Sequence, residues 1–186
     1  MKELDLASAI ACLHQGGVMA YPTEAVWGLG CDPRNHAAVS RLLALKQRPV
    51  EKGLIMVAAD IGQLQRWVRL DALPDDRRAE VLDSWPGPNT WIIPAGELTP
   101  EWIRGEHAGV AVRVSAHPLV AALCRAWQGP LVSTSANRAG EPPARSRDQL
   151  DPVLLQGLDG VLDGATGELG QPTRIRDALS GDTLRL

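Results

Sequence analysis

Glycine and proline interrupt this chain throughout its length, with 18 glycines and 14 prolines among its 186 residues. Proline fixes the φ angle and lacks an N–H donor, and the residue before a proline avoids helical geometry, so helices and strands rarely continue through such positions. The pattern therefore predicts many short elements joined by turns. The sequence has no internal repeat, no low-complexity tract and no linker long enough to separate two domains, which excludes repeat and fibrous architectures.

The overall composition is that of an ordinary globular domain. Hydrophobic residues make up 45% of the chain and charged residues 22%, so intrinsic disorder is excluded as a description of the whole sequence. A chain of this length can bury a proper core, and we expect one domain over residues 1–186. No apolar run reaches the roughly 18 residues that cross a bilayer, and the first residues lack the layout of a signal peptide. We therefore expect a cytoplasmic protein without a membrane partner.

Net charge and cysteine usage narrow the function classes further. The formal net charge is −3, which argues against a protein whose main task is to coat nucleic acid. Cys12, Cys31 and Cys124 lie far apart without a Cys-x-x-Cys pair, so we expect reduced thiols in or near the core. Any phosphate chemistry must then depend on a local cluster of basic residues.

Apolar periodicity and turn residues predict an α/β sandwich around a mixed sheet. Helices are predicted at residues 5–15, from an Asn35 cap to before Pro49, around 64–68, around 81–82, at 117–127, and from a Ser146 cap through Leu155. Strands are predicted at residues 18–21, 53–59, 90–93, 110–114, 130–134, 161–162, 173–175 and 183–186.

Two segments that follow predicted strands are rich in polar groups. Residues 21–30 read Tyr-Pro-Thr-Glu-Ala-Val-Trp-Gly-Leu-Gly, and residues 133–140 read Ser-Thr-Ser-Ala-Asn-Arg-Ala-Gly. In open α/β sheets, ligands bind beyond the carboxyl ends of strands, where loops expose N–H groups and short polar side chains. For a single loop, turn formation and helix capping are the better explanation. Two such loops together with a basic segment favour a ligand pocket.

The basic segment is residues 46–53, Lys-Gln-Arg-Pro-Val-Glu-Lys-Gly, between a predicted helix and a predicted buried strand. It holds Lys46, Arg48 and Lys52. Three cations need counter-anions and Glu51 supplies at most one, which leaves room for a polyphosphate or carboxylate ligand. A structural alternative stays open, because basic side chains near a helix C-terminus also interact favourably with the helix dipole.

The familiar nucleotide, metal and hydrolase signatures are missing from the sequence. Nothing matches the phosphate-binding loop Gly-x-x-x-x-Gly-Lys-Ser/Thr, and Gly28-x-Gly30 lacks the third glycine of the dinucleotide motif. Ser135 does not lie in a Gly-x-Ser-x-Gly turn. The four histidines show no paired-ligand spacing and are interpreted as capping or surface residues. These are His14, His36, His107 and His117.

Five segments, taken in order, resemble the YrdC-like family, and within it the short bacterial forms. They are Tyr21-Pro22-Thr23-Glu24 with Gly28-Leu29-Gly30, Lys46-x-Arg48-Pro49, Pro86-Gly87-Pro88-x-Thr90, Val112-Arg113, and Ser133-Thr134-Ser135-Ala136-Asn137. One such motif would be weak, whereas five in sequence extend over almost the whole chain. The resemblance implies a twisted open mixed sheet flanked by helices, with a deep, positively charged cavity.

The resemblance further implies an enzyme, a nucleotidyltransferase that forms L-threonylcarbamoyladenylate and pyrophosphate from L-threonine, bicarbonate or CO2, and ATP. Its product serves the N6-threonylcarbamoyl modification (t6A) of adenosine 37 in tRNA. The implied partners are these substrates and, for a transient handover of the product, the tRNA threonylcarbamoyl transferase machinery. ATP is expected to arrive with Mg2+ held largely by phosphates and water, with no tightly bound metal ligated by the protein.

Residue by residue, the resemblance assigns roles to positions already singled out. The family's tetrad, expected to be catalytic and to bind the nucleotide, falls on Lys46, Arg48, Ser135 and Asn137. Lys52 and Arg185 are also expected at the nucleotide, with Lys52 near the phosphates. Thr23, Arg113 and Thr173 are expected at threonine, with Arg113 pairing with its carboxylate.

The chain departs from the family at several positions near the expected threonine site. Many relatives have Thr and Tyr at the positions of Ala25 and Trp27, and the long forms have a threonine-contacting histidine at the position of Val57. Relatives often show Ser-Thr near the last motif, where only Thr173 supplies a hydroxyl here. For Glu24, we weigh capping of a turn against an approach to magnesium, and favour the cap.

A competing hypothesis from another class is an RNA-binding module that acts in ribosome maturation, with weak RNA binding. Its support is the basic cluster of Arg138, Arg145 and Arg147 beside the second polar loop. A solvated arginine-rich surface explains the same cluster. The acidic net charge favours the enzyme.

Overall fold

The structure, a computed structural model, describes residues 2–185, with the exception of the Arg185 side chain. The described residues form ten strands and six α-helices. The strands are β1 (Glu3–Leu4), β2 (Met19–Pro22), β3 (Trp27–Gly30), β4 (Ile55–Ala58), β5 (Asn89–Pro94), β6 (Gly109–Val114), β7 (Leu131–Ser135), β8 (Gly160–Leu162), β9 (Arg174–Asp177) and β10 (Thr183–Arg185). The helices are α1 (Leu6–His14), α2 (His36–Lys46), α3 (Asp75–Asp83), α4 (Glu101–Arg104), α5 (Pro118–Trp127) and α6 (Pro152–Gln156).

The strands form one mixed sheet, in the order β1-β8-β2-β3-β7-β4-β6-β5-β9-β10. The pairs β1–β8, β2–β8, β4–β6 and β5–β9 are parallel. The remaining neighbours, β2–β3, β3–β7, β4–β7, β5–β6 and β9–β10, are antiparallel. The edge strands β1 and β10 lie at opposite ends of this order, so the sheet is open. The predicted fold class, an open mixed sheet flanked by helices, is confirmed.

Local sequence signals determine where the main helices begin and end. Asp5 and Asn35 each accept a hydrogen bond from the backbone N–H three residues further on, at 2.7 and 3.1 Å, and so cap α1 and α2. Pro118 occupies the first turn of α5, where its missing N–H has no helical partner to lose. Helix α2 ends at Lys46, because Gln47 takes the left-handed conformation with φ 52°.

The sheet separates two hydrophobic clusters. Met56 on β4 is fully buried in the cluster that also holds Leu42 of α2. The next residue, Val57, is fully buried in the other cluster, with Leu123 of α5. Successive strand residues point to opposite faces, so this alternation places α2 on one side of the sheet and α1 with α5 on the other.

Helices α1 and α5 leave part of their face of the sheet uncovered. Val57 and Leu131 belong to the cluster beneath these helices. Ile55 and Ser133 lie two residues away on the same two strands, hence on the same face, and line a cavity instead. Ala111, which pairs with Ile55 across β4 and β6, continues this floor. The uncovered half of the sheet therefore forms the floor of the cavity.

The first predicted polar loop contains a strand that the sequence pattern did not reveal. Within residues 21–30, β3 pairs with both β2 and β7. The sequence predicts a glycine-containing loop here, because glycine is depleted in strands. A Cβ atom at Gly30 would lie only 2.4 Å from the Val132 carbonyl oxygen, so close backbone approach explains the glycine. Strand β1 and helix α4 were also not predicted.

Two predicted helices were wrong in form. Around 64–68 the chain makes only a 3-10 turn, Ile61–Leu64, because the Trp67 carbonyl accepts bonds from the Gly96 N–H (2.8 Å) and the Thr99 hydroxyl (2.5 Å). The predicted helix from Ser146 through Leu155 is divided into a 3-10 turn, Arg147–Gln149, and α6. Pro152 starts α6 and cannot continue a helix from upstream, since it has no N–H to donate.

The other predicted elements correspond to observed ones within a few residues. The final predicted strand corresponds to β10, and its last residue, Leu186, lies outside the described residues. Among the helices the structure describes, none is both long and apolar enough to span a bilayer.

Candidate active site

The two polar segments and the basic segment meet at one cavity of about 830 Å³ over the uncovered half of the sheet. This volume lies within the range of small-molecule sites. Seven of the residues singled out from the sequence line it. They are Thr23, Arg48, Lys52, Arg113, Ser135, Asn137 and Thr173. Lys46 lies behind the cavity wall, and the side chain of Arg185 falls outside the described part of the chain.

Lys46 joins the end of α2 to the polar loop after β7. Its ammonium donates hydrogen bonds to the backbone carbonyls of Ser135 and Asn137, the latter at 2.6 Å. In return, the Ala139 N–H donates to the Lys46 carbonyl at 2.9 Å. The lysine is only 4% exposed. Burial, and then the nearby positive charge of Arg48, lower the pKa of Lys46 to about 8.

Arg48 and Lys52 bracket the turn that leads into β4. The Arg48 guanidinium donates to the Gly53 carbonyl, at 2.9 Å from Nη2, and so closes the turn Val50–Lys52. Lys52 is exposed at the cavity rim. None of the ion pairs among the described residues includes Lys46, Arg48 or Lys52. The sequence-based expectation that these cations exceed their local carboxylates therefore agrees with the structure.

The loop after β7 presents a hydroxyl and an amide to the same cavity. Ser135 is the last residue of β7, and its partner across the sheet is Gly28 of β3, so no side chain lies beside it on that strand. The Asn137 amide Nδ2 donates to the carbonyls of Arg138 (2.9 Å) and Glu141 (2.7 Å). Its Oδ1 is buried and accepts no hydrogen bond within residues 2–185. The loop is thus held by the Asn137 amide and by Lys46.

Arg113 lies on the cavity floor in a network of buried polar groups. Its Nη1 donates to the hydroxyls of Thr90 (3.0 Å) and Thr173 (2.9 Å). Its Nη2 lies 3.3 Å from Oε2 of Glu24, whose Oε1 accepts a 2.7 Å bond from the Ser115 hydroxyl. Burial opposes ionisation of Glu24, but the Arg113 charge and the Ser115 hydrogen bond outweigh it and lower the pKa of Glu24.

Glu24 therefore serves a different purpose from the turn cap favoured on sequence grounds. The turn is closed by Thr23 instead, whose hydroxyl donates to the Val26 carbonyl at 2.7 Å. Glu24 does not line the main cavity, and its carboxylate is engaged by Arg113 and Ser115. Across the described residues, no group of three or more His, Cys, Asp and Glu side chains is placed to hold a metal ion.

The positions that depart from the family divide between cavity and core. Ala25 and Trp27 line the cavity. Val57 is fully buried beneath α5 and does not line it.

Part of the site has no clear signal in the sequence. Thr90 was quoted as a motif residue without a role, and Ser115 gave no sequence signal beyond its place two residues after Arg113. The part of the cavity lined by β5, β9 and β10 includes the apolar side chains of Ile92, Ile175 and the exposed Leu184, together with Asp177. Alternation along β5 and β9 could have indicated this part, but only once the pairing of these distant strands was known.

Two of the three arginines in the basic cluster on the outer surface form ion pairs. Arg138 contacts Glu141 (2.7 Å) and Asp151 (2.8 Å). Arg147 contacts Glu3 (2.6 Å) and Asp163 (3.0 Å). Arg145 donates to the Gly170 carbonyl at 2.5 Å. These contacts are those of an ordinary solvated surface, and they leave fewer free cations there than in the cavity.

Comparison with known proteins decides the family. The family model Sua5_yciO_yrdC, described as "Telomere recombination", matches residues 11–186. The chain belongs to the Sua5/YciO/YrdC family. The resemblance that its five motifs indicated is therefore confirmed.

Curated members of the Sua5/YciO/YrdC family resemble this chain over its full length. A protein named threonylcarbamoyl-AMP synthase from Stenotrophomonas maltophilia (strain K279a) is 70% identical over 185 residues, which is 100% of both chains. A protein of the same name from Xanthomonas axonopodis pv. citri (strain 306) is 66% identical over 182 residues, which is 98% of this chain and 97% of that one.

Solved structures of the Sua5/YciO/YrdC family share its fold. Sua5 of P. abyssi, complexed with L-threonine, has a TM-score of 0.85 at 28% identity. The matched region covers 94% of this chain and 52% of the Sua5 chain. This chain thus spans about half the length of that Sua5. YciO of E. coli has a TM-score of 0.83 at 23% identity, covers 97% of this chain and 87% of its own, and supports the fold alone.

Proposed function

We propose that this chain is a threonylcarbamoyl-AMP synthase, a nucleotidyltransferase that forms L-threonylcarbamoyladenylate and pyrophosphate from L-threonine, bicarbonate or CO2, and ATP. The product would serve the t6A modification of adenosine 37 in tRNA. The names of the curated relatives, at 70% and 66% identity over nearly the whole chain, support the activity. The L-threonine in the related Sua5 structure supports the amino-acid substrate.

The observation that carries this proposal is the placement of unpaired positive charge. Arg48 and Lys52 line the cavity, Lys46 lies directly behind the Ser135–Asn137 loop, and none of the three pairs with a described carboxylate. A triphosphate supplies the missing negative charge. Fixed cations beside phosphate oxygens stabilise phosphoryl and nucleotidyl transfer by several kcal/mol in a site that excludes water.

The reaction needs two bond-forming steps and no covalent protein nucleophile. The amine nitrogen of threonine bonds to the carbon of CO2 and loses a proton, which gives a carbamate. A carbamate oxygen then attacks the α-phosphorus of ATP, and the bond from that phosphorus to the bridging oxygen breaks to release pyrophosphate. Alignment of the attacking and leaving oxygens is the main contribution required of the protein.

Each site residue has a role in this proposal that follows from its placement. Arg48 and Lys52 contact phosphate oxygens from the turn before β4, and Ser135 and Asn137 hydrogen-bond to the nucleotide from the neighbouring end of β7. Lys46 holds their loop and adds positive charge behind it. Arg185 stays an expectation at the nucleotide.

The threonine side of the site lies deeper. Arg113 pairs with the substrate carboxylate, and Thr23 and Thr173 line the same floor. Magnesium would enter with ATP, held by phosphates and water. Glu24, the carboxylate beside Arg113, is already engaged by that arginine.

We further propose that residues 1–186 form one domain that acts in the cytoplasm, where it passes its unstable product to the tRNA-modifying transferase. The pairing of β1, near one end of the chain, with β8, near the other, supports a single domain. The competing RNA-binding hypothesis has less support, since two of the three surface arginines on which it rests are already in ion pairs with carboxylates.

The test is direct. Purified protein is incubated with ATP, L-threonine and bicarbonate, and pyrophosphate release is measured with and without each component. We expect pyrophosphate release only when ATP, L-threonine and bicarbonate are all present. Release should be lost when threonine is omitted, or when it is replaced by serine at low concentration. If pyrophosphate release does not depend on threonine, the proposed function is wrong.

A further inference from the structure

Four buried polar side chains form a network with Arg113 of β6. Glu24 follows β2, Thr90 lies on β5, Ser115 follows β6 and Thr173 precedes β9. All are between 0 and 8% exposed. The contacts run from the Ser115 hydroxyl to Glu24 (2.7 Å), from Glu24 to Nη2 of Arg113 (3.3 Å), and from Nη1 of Arg113 to the two threonine hydroxyls (3.0 and 2.9 Å).

This network holds the Arg113 guanidinium from two directions. Nη1 is occupied by Thr90 and Thr173, and Nη2 faces Glu24. Its Nε is buried and has no hydrogen-bond partner in the described chain. An unrestrained arginine side chain has many rotamers, so an arginine that must meet a carboxylate at a set angle benefits from partners that fix its plane.

Glu24 contacts Arg113 but does not line the cavity that Arg113 lines. Its effect on anything bound there is therefore indirect. The Ser115 hydroxyl, in turn, holds the other oxygen of the Glu24 carboxylate and so fixes the direction from which it meets Arg113.

We infer that Glu24, oriented by Ser115, is a positioning residue that fixes the Arg113 guanidinium for recognition of the amino-acid carboxylate. This inference rests on the proposed function, and it assigns to the network a part in selecting and orienting the amino acid rather than the nucleotide.

The inference is testable because a purely electrostatic role for Glu24 and a positioning role predict opposite effects on threonine binding. A carboxylate 3.3 Å from Arg113 reduces the positive potential that attracts an anionic group. If Glu24 acted only through its charge, its neutral analogue would bind threonine more tightly. If Glu24 positions Arg113, the same substitution weakens threonine binding, because the guanidinium loses its orientation.

The experiment compares Glu24→Gln with wild type in the threonine-dependent pyrophosphate release assay. We expect the KM for threonine to rise by about tenfold, while kcat and the KM for ATP change by less than about twofold, the pattern of lost ground-state binding. Glu106→Gln is the matched control, since Glu106 lines the cavity without an ion pair to Arg113. It removes the same charge, and we expect no rise in the KM for threonine.

A second variant covers the case in which Glu24→Gln folds poorly. Ser115→Ala leaves the charges of Glu24 and Arg113 in place and removes only the hydroxyl that orients Glu24. We therefore expect the KM for threonine to rise about threefold, while kcat and the KM for ATP again change by less than about twofold. In an Arg113→Lys background, Glu24→Gln should add little further effect, because its partner guanidinium is gone.

The outcomes separate this inference from the proposed function. A wild-type protein without threonine-dependent pyrophosphate release overturns both. With an active wild type, the inference alone is overturned if neither Glu24→Gln nor Ser115→Ala raises the KM for threonine. It is also overturned if the KM for ATP rises equally, or if the Glu24 and Arg113 effects add independently.

Discussion

Lys46 carries its charge into a buried position where its partners are backbone carbonyls. The lysine is 4% exposed, and its ammonium is held by the Ser135 and Asn137 carbonyls rather than by a carboxylate. Carbonyl dipoles compensate only part of the lost hydration, which is why burial lowers the pKa of Lys46 to about 8. The amine is therefore more easily deprotonated in the folded protein than in the unfolded chain.

This shift makes the stability contribution of Lys46 dependent on pH. Between pH 8 and 10.5 the folded protein has lost the Lys46 proton while the unfolded chain keeps it, so unfolding takes up a proton and the free energy of unfolding rises with pH. We expect the free energy of unfolding of wild type, relative to that of Lys46→Met, to rise by about 2 kcal/mol between about pH 7.5 and 9.5. Urea unfolding of both proteins at the two pH values measures the change.

The control for this prediction is Lys46→Arg. Its guanidinium stays charged over the same range, so the free-energy difference from Lys46→Met should not vary with pH. If the free energy of unfolding of wild type relative to Lys46→Met is also independent of pH, the Lys46 pKa lies near its ordinary value of 10.5 and other interactions compensate for burial.

Neither Ser135 nor Asn137 contributes an apolar side chain to the core. We expect Ser135→Ala combined with Asn137→Ala to lower kcat at least about 100-fold, because oriented hydrogen bonds to the reacting groups are lost. The free energy of unfolding should change by no more than about 1 kcal/mol. Steady-state kinetics and thermal melting measure the two effects, and a large fall in melting temperature with intact activity would reverse the assignment.

At this scale, much of the candidate site could be predicted from the chain itself. Residue type and spacing indicated Lys46, Arg48, Ser135 and Asn137. A group of basic residues with few nearby carboxylates can be recognised in a sequence, and so can polar residues that follow a predicted strand. The contact between Glu24 and Arg113 joins residues 89 positions apart in the sequence, and no local pattern encodes it. The position of Lys46 behind the wall also depends on side-chain direction, which spacing alone does not determine.

At the level of elements, capping residues and proline explain the helices that were predicted correctly, and tertiary hydrogen bonds explain one that was not. Asp5, Asn35 and Pro118 marked three helices correctly, because each signal acts on adjacent backbone groups. The segment around Trp67 has helical periodicity, yet its carbonyl is taken by residues 96 and 99. Tertiary hydrogen bonds of this kind override local preference and cannot be read from a short window.

Strand β3 shows the same limit and gives a prediction of its own. Gly30→Ala would place Cβ 2.4 Å from the Val132 carbonyl oxygen and 2.7 Å from the Tyr21 ring, both fully buried. Strand β7 or the tyrosine must then move, and we expect a loss of about 2–3 kcal/mol in the free energy of unfolding. Gly170→Ala is the matched control, since its Cβ meets nothing within 4 Å. Equal stability of the two variants in urea unfolding would contradict this view of β3.

Over the whole molecule, charge is divided between surface and cavity. The chain is acidic overall, with a net charge of −3. Four Lys or Arg residues and two Glu or Asp residues line the cavity, which leaves a formal excess of two positive charges among its described lining residues. An acidic surface repels a long polyanion, whereas a small polyanion that enters the cavity meets mainly positive charge.

This division predicts how the molecule distinguishes ATP from RNA. Calorimetric titration with ATP and threonine together should saturate at a single site, and Arg48→Ala should weaken that binding at least about tenfold, because a cation at the phosphates is lost. Arg147→Ala is the control, since Arg147 is on the outer surface and already paired with Glu3 and Asp163. We expect it to leave ATP binding unchanged.

The same titration with an RNA oligomer decides between the two classes of function. A protein built to bind small substrates in its cavity should bind RNA only weakly, with affinity that falls steeply as salt rises, since such binding depends on counterion release. Tight RNA binding at physiological salt that is lost in Arg147→Ala and kept in Arg48→Ala would place the function on the outer surface. The reverse pattern places it in the cavity, where the unpaired cations lie.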